Sequence, residues 1–166
     1  MNLTKNYQQM AKYNQWMTEK IYSRTSHLSD AQFKEDLGAF WKSIHSTMNH
    51  ILWADIIWMT RFDLSLPYQP SDMGVDLYAD RKMLENTHKE AILRLQEWTH
   101  TFNDDWLAGD LVWTRASNGQ TYTKPRWLCI THIFNHQTHH RGQVTHMLKH
   151  FNIDIGDTDL PLMPTD

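Results

Sequence analysis

Apolar and polar positions alternate with a helical period over four long stretches of the chain, residues 3–24, 39–62, 81–102 and 123–151. Apolar side chains spaced three and four positions apart lie on one face of an α-helix, and that face is usually buried. The pattern therefore predicts an all-α protein built from four amphipathic helices. The second stretch is apolar over so wide an arc that we expect burial on more than one side.

Turn-forming residues separate the first three stretches. Residues 26–38 predict a connector with one short helical turn over 31–34. Residues 64–79 predict a loop long enough to cross from one end of a bundle to the other, so that the second and third helices are free to run parallel. This loop contains Pro67, Pro70, Ser71 and Gly74.

The period changes between residues 104 and 124. Two β-prone segments, 110–115 and 120–124, flank a turn that includes Asn118-Gly119, a pair expected where φ is positive. The pattern predicts a small β-hairpin before the last helix. Because a two-stranded hairpin is marginal alone, we expect it to lean on the bundle.

The two ends of the last helix also have recognisable signals. Pro125 fits its first turn, where no backbone N–H is needed. After residue 151 the helical period is lost and two prolines occur. This segment predicts an extended tail whose apolar residues pack on the body of the protein or on a partner.

Six of the eleven histidines lie between Trp127 and Phe151. At about 100° per residue, His136 and His140 fall on the core-facing side of the predicted helix, together with apolar residues. The other four form a separate stripe on its flank. This stripe could bind adventitious metal or sense pH, but a solvated or interface flank is the favoured interpretation. The stripe consists of His132, His139, His146 and His150.

A histidine pair at positions i and i+4 brings two imidazoles within reach of one ion. Helical zinc motifs use this spacing, although the glutamate of His-Glu-x-x-His is absent here. The alternative is one packed core histidine and one surface histidine. His50, on the second helix, would complete a three-nitrogen set with His136 and His140, and His88, on the third helix, is the first alternative ligand. Three imidazoles leave coordination positions open, as in catalytic metal sites.

Composition narrows the class of protein. The 166 residues, 40% of them hydrophobic, predict a single domain over residues 1–166 with a substantial core. A net charge of −3 gives no electrostatic footprint for nucleic acid. The single cysteine, Cys129, cannot form an internal disulfide and is better interpreted as a core residue than as a fourth ligand. With no apolar run typical of a signal peptide or membrane span, we expect a cytoplasmic protein that engages no membrane.

Three motifs carry a resemblance to a known family. They are Ala11-Lys-Tyr-Asn-Gln-Trp16, Thr47-Met-Asn-His-Ile-Leu-Trp-Ala-Asp55 and His136-Gln-Thr-His-His-Arg-Gly-Gln143. With these motifs the chain resembles the DinB family of the DinB/YfiT-like superfamily, and the last motif is the most specific. The likeness covers nearly the whole chain, including the hairpin and the tail.

The resemblance implies an up-down-down-up four-helix bundle that is frequently a homodimer. It also implies a divalent metal held by one histidine of the second helix and two of the fourth. The matching positions are His50, His136 and His140, and the ion is left open among zinc, nickel, iron and manganese.

Related proteins are thiol-dependent S-transferases or isomerases, while many relatives have no established reaction. We therefore expect metal activation of a low-molecular-weight thiol for transfer to an electrophile, in detoxification or stress. One alternative is a metal-dependent hydrolase, for which the sequence identifies no general base. Another is a non-enzymatic, stress-associated bundle whose ion fastens the second helix to the fourth.

Overall fold

The computed structural model describes residues 3–64, 66 and 72–164. Four long helices dominate, and a two-stranded hairpin precedes the last of them, as predicted. Among these residues, no helix is long and apolar enough to cross a bilayer. In chain order the elements are α1 (Leu3–Thr25), α2 (Asp30–Phe33), α3 (Ile44–Arg61), α4 (Arg81–Thr99), α5 (Asp104–Ala108), β1 (Asp110–Thr114), β2 (Thr121–Pro125), α6 (Arg126–His150) and a 3₁₀ turn (Leu160–Leu162).

The long helices pack in a ring, with α1 between α4 and α6, and α3 between α6 and α4. Side-chain contacts show that α1 and α6 run parallel, as do α3 and α4, whereas the other neighbours run antiparallel. This confirms the up-down-down-up prediction. The parallel pairs are set by Tyr7–Trp127 and Asn14–Arg141 for α1 and α6, and by Asp55–His88 and Phe62–Trp98 for α3 and α4. The antiparallel pairs are set by Tyr7–Phe102 and Tyr22–His88 for α1 and α4, and by His50–His136 and Trp58–His132 for α3 and α6.

Helix α3 begins at Ile44, five residues later than predicted. Lys42 has a φ of +64°, which is incompatible with a right-handed helix. Ser43 then caps the helix, because its side chain accepts a hydrogen bond from the backbone N–H of Ser46. Residues 39–42 instead close a tight loop that carries Trp41 toward α3.

The region around the hairpin also differs in detail from the prediction. Helix α4 ends at Thr99 rather than at 102, and the short helix α5 follows, capped by the side chain of Asn103. Strands β1 and β2 pair antiparallel with Trp113 opposite Tyr122, so the segment to Pro125 is strand rather than helix. In the loop after α3, Pro67, Pro70 and Ser71 lie outside the described residues.

A polar network crosses the core between α3, α4 and α6. The Gln137 side chain donates a hydrogen bond of 2.8 Å to Oδ1 of Asp55. Oδ2 of Asp55 faces Nε2 of His88 at 4.0 Å, and the Tyr22 hydroxyl lies 3.0 Å from Nδ1 of His88. Burial raises the pKa of Asp55 to about 7, against the hydrogen bond from Gln137 and the charge of Arg141.

The same network reaches α1 through Arg141. This buried guanidinium donates hydrogen bonds to Oδ1 of Asn14 and to the Thr138 hydroxyl. Burial lowers the pKa of Arg141 to about 10, opposed by Tyr13 and Asp55. Each long helix thus contributes a polar residue to the core. Helix α6 bonds to α3 and α1, and His88 of α4 lies against Tyr22 of α1 and Asp55 of α3.

The shifted carboxyl predicts a specific dependence of stability on pH. The pKa of Asp55 is about 7 in the fold and about 3.9 in an unfolded chain. The folded state therefore binds more protons between these values, and its stability falls as the pH rises through them. Asp55→Asn keeps the acceptor for Gln137 but cannot ionise. The melting temperature of the variant relative to the wild type should rise by several degrees from about pH 5 to about pH 8, measured by circular dichroism. A difference that stays constant over this range would contradict the assignment.

Candidate metal centre

The antiparallel packing of α3 on α6 brings His50 opposite His136 and His140. One ring nitrogen from each residue lies within 4.8 Å of the other two. Nε2 of His50 and Nε2 of His136 are 3.1 Å apart. The centroid of the His140 ring is 4.6 Å from that of His50 and 4.3 Å from that of His136. The structure thus brings together the three histidines that the sequence analysis singled out.

The spacing fits two ligands of one ion. Two nitrogens bound at about 2.0–2.1 Å, with bond angles near those of octahedral or tetrahedral sites, are about 2.8–3.4 Å apart. The separation of 3.1 Å between His50 and His136 lies in this range. A hydrogen bond between two imidazoles has a similar length. The third imidazole beside the pair favours an ion over such a bond.

The protonation of the three rings suits metal binding. Burial lowers the pKa of His136 to about 3 and the pKa of His50 to about 4, and the neighbouring His140 adds to both shifts. Burial also lowers the pKa of His140, although the hydrogen bond that His140 donates to Gln143 acts to raise it. All three rings are therefore neutral at pH 7, which leaves a lone pair on each for a cation.

Gln143 orients His140. Its Oε1 lies 2.8 Å from Nδ1 of His140, and because an amide oxygen only accepts, Nδ1 carries the proton. The lone pair is then on Nε2, the tautomer that metal-binding histidines adopt when an outer partner holds the other nitrogen. Sequence reasoning gave Gln143 no role in the site, although it ends the most specific motif, one turn after His140. Nδ1 of His136, in contrast, is buried without a hydrogen-bond partner among the described residues.

Two tryptophans flank His50. The Trp41 ring stacks on the imidazole at 3.9 Å with an interplanar angle of 21°, and Trp53 lies at 5.9 Å and 18°. Trp41 was not predicted, because residues 39–42 were assigned to the second helix. The two indoles hold the His50 ring in a mixed, partly dry environment.

The site borders a groove of about 400 Å³ on one face of α6. The groove is lined by His132, Asn135, His136, Thr138 and His139. One of the three converging histidines is thus part of the groove wall. The three histidines could hold a divalent cation beside this groove.

The remaining candidates lie elsewhere. His88 is fully buried beside Tyr22 and Asp55, so it is a core residue rather than the alternative ligand. Cys129 is buried, and burial raises the pKa of its thiol. Among the described histidines, cysteines and acidic residues, only His50, His136 and His140 form a group that could share an ion. The four histidines of the flank are exposed, as predicted, namely His132, His139, His146 and His150.

Comparison with known proteins shows the family and the fold. A model of the DinB family matches residues 1–162. The chain is 26% identical over 153 residues to Protein DinB of Bacillus subtilis (strain 168), covering 90% of this chain and 88% of that protein. The crystal structure of a DinB-like protein from Bacillus cereus ATCC 10987 has a TM-score of 0.64 and 17% identity, covering 86% of this chain and 90% of that one. This last likeness shows a shared fold.

The geometry predicts that removing one ligand abolishes tight metal binding. Protein purified without a nickel column should bind one equivalent of a divalent ion, measured by elemental analysis and titration calorimetry. His136→Ala should weaken binding by at least about 100-fold, because loss of outer partners alone costs about 10- to 100-fold. His146→Ala removes an exposed histidine from the same helix and should bind like the wild type. Equal loss in the two variants would show that the ion binds elsewhere.

Proposed function

Because the chain belongs to the DinB family, we propose that it is a metal-dependent enzyme that transfers a low-molecular-weight thiol to an electrophile. The observation that carries this proposal is the convergence of His50, His136 and His140, with ring nitrogens within 4.8 Å of one another. Three neutral imidazoles leave ligand positions free, as catalytic sites require. The adjoining groove gives a substrate access to them.

His50, His136 and His140 would hold the divalent ion, which would supply Lewis acidity that favours loss of a thiol proton at neutral pH. The protein supplies the neutral imidazoles, the orientation of His140 by Gln143 and the stacking of Trp41 on His50. In the proposed reaction the S–H proton leaves, the sulfur forms a bond to an electrophilic carbon, and the displaced group departs with its bonding electron pair.

His132 is suited to accept the thiol proton. It lines the groove, and its ring centroid lies 5.7 Å from that of His136. Burial and the charge of Arg61 lower the pKa of His132, so its imidazole is neutral at pH 7 and has a free lone pair. A protonated His132 can later return the proton to solvent, because its side chain is exposed.

The proposal predicts that thiol is consumed in step with product. Purified protein, loaded separately with zinc, nickel, iron or manganese, is incubated with an aryl halide and a panel of small thiols. We expect one thiol consumed per product released, followed by chromatography. His50→Ala should lower kcat/KM by at least about 100-fold, because loss of a ligand should cost more than the loss of about 10- to 100-fold seen for outer partners, whereas His146→Ala should not.

Other outcomes would support the alternatives. Product formed without loss of thiol, for example from an ester, would indicate a hydrolase. If the wild type turns over none of the substrates, and replacing His50, His136 or His140 lowers the melting temperature, the ion only fastens α3 to α6.

We also propose a homodimer, which the family resemblance implies. The 3₁₀ turn of the tail supports it, because Leu160 and Leu162 are exposed and available to a partner. Light scattering should give a mass of about 40 kDa, twice the 19.8 kDa of the chain. Leu162→Asp should shift the protein toward the monomer, and a monomeric wild type would refute the proposal.

A further inference from the structure

A line of side-chain contacts runs toward the hairpin from the histidine triad, which consists of His50, His136 and His140. His132 contacts the rings of both His136 and Trp58, and the Arg61 guanidinium lies against Trp58. These contacts of 5.7, 5.0 and 4.4 Å place the guanidinium within about 15 Å of the His136 ring. The two ends of this line are therefore close enough for one small molecule to touch both.

Arg61 is a half-buried cation without a counter-ion. Its guanidinium covers the ring of Trp58 and lies 5.4 Å from that of Trp113. Among the described residues, it forms neither an ion pair nor a hydrogen bond. Stacking occupies a face of the guanidinium, whereas its N–H donors point outward in its plane. Several strong donors thus have no acceptor within the described protein and are open to an anionic ligand.

Two further cations lie beside Arg61. Arg115 is close enough to lower the pKa of Arg61, after the larger effect of burial. Lys124 and Arg61 are both close enough to the Cys129 thiol to lower its pKa, although burial raises that pKa by more. Neither Arg115 nor Lys124 forms an ion pair within the part of the chain that the structure describes. Acidic residues outnumber basic ones, 19 to 16, over the whole chain, so this group of cations is a local exception.

The hairpin register explains how these side chains meet. Trp113 pairs with Tyr122, and Leu111 pairs with Lys124, so these four side chains share one face of the hairpin. Leu111 is buried and Trp113 contacts Trp58, which shows that this face is turned toward the bundle. Arg115 directly follows β1, two positions after Trp113. Because successive side chains of a strand point to opposite faces, Arg115 lies on the same face of the hairpin as Trp113.

We propose that Arg61, assisted by Arg115 and Lys124, is an anion subsite that binds a carboxylate of the substrate whose reacting group lies at the histidine triad. This inference rests on the proposed function, and it adds the substrate class: a thiol or electrophile that bears a carboxylate. A carboxylate is planar and accepts two parallel N–H bonds from the exposed edge of a guanidinium. Its binding pairs the donors that Arg61 leaves unused.

The separation between triad and subsite limits the size of the substrate. An extended peptide spans about 3.3–3.6 Å per residue. For a separation of up to about 15 Å, a thiol of no more than about four residues can place its sulfur at the three histidines and its terminal carboxylate near Arg61. A thiol without an acidic group would reach the triad but gain nothing from the subsite.

Binding of a ligand whose thiol is blocked tests the subsite independently of catalysis. The probes are N-acetyl-S-methylcysteinylglycine, which has one carboxylate, and its C-terminal amide, both titrated into metal-loaded protein. Arg61→Gln should weaken binding of the acid by about 10- to 100-fold, the range expected for a hydrogen-bonded charge pair, and should leave the amide unaffected. Arg61→Lys should show an intermediate loss. Arg24→Gln, which changes an exposed arginine on α1, should match the wild type.

The outcomes separate this inference from the proposed function. If the wild type prefers the acid, Arg61→Gln abolishes this preference and no transferase activity is found, the subsite is supported and the proposed reaction is wrong. If the wild type transfers the thiol but binds the acid and the amide equally well, the proposed reaction is supported and the subsite is wrong. If Arg61→Gln lowers the melting temperature but acid and amide still bind with unchanged affinities, Arg61 only packs on Trp58 and the inference is wrong.

Discussion

A single buried hydrogen bond, from the Gln137 amide to the Asp55 carboxylate, holds α6 in register with α3. Gln137 follows His136 directly, and Asp55 lies little more than one turn beyond His50. A shift of one helix by a turn, about 5.4 Å, would break this bond and separate His50 from the other two histidines. The same register places Trp58 beside His132. The candidate centre, and the contacts that extend from it to Arg61, therefore depend on how these two helices are aligned.

This alignment requires polar and ionisable side chains to be buried in the core. A carboxyl, a guanidinium and an imidazole are buried together with amides, and polar groups stabilise a core only when they are paired. Replacing such a network by apolar residues often raises stability. Its hydrogen bonds, however, tie α6 to α1 through Asn14, α6 to α3 through Asp55 and α4 to α1 through His88, whereas apolar packing is less directional. We interpret the network as the feature that specifies one arrangement of the four helices.

Much of this arrangement is local and could be read from the sequence. The helical period identified the long helices, and the face shared by His136 and His140 followed from their spacing. The hairpin followed from the change of period and the Asn118-Gly119 turn. What escaped prediction depends on contacts between distant segments: Lys42 adopts a left-handed conformation that no propensity signals, and this loop sets Trp41 on His50. The grouping of Arg61 with Arg115 arises only when the hairpin folds back on the bundle.

The central claim is that three histidines from two helices hold one ion whose remaining positions face a groove. The most direct measurement is anomalous diffraction from crystals of protein purified without a metal-affinity column, with data collected on both sides of the absorption edge. The account predicts one anomalous peak, about 2.0–2.2 Å from a ring nitrogen of each of His50, His136 and His140, with its open side toward His132. An ion bound elsewhere, or rings turned so that no point lies within bonding distance of all three, would contradict it.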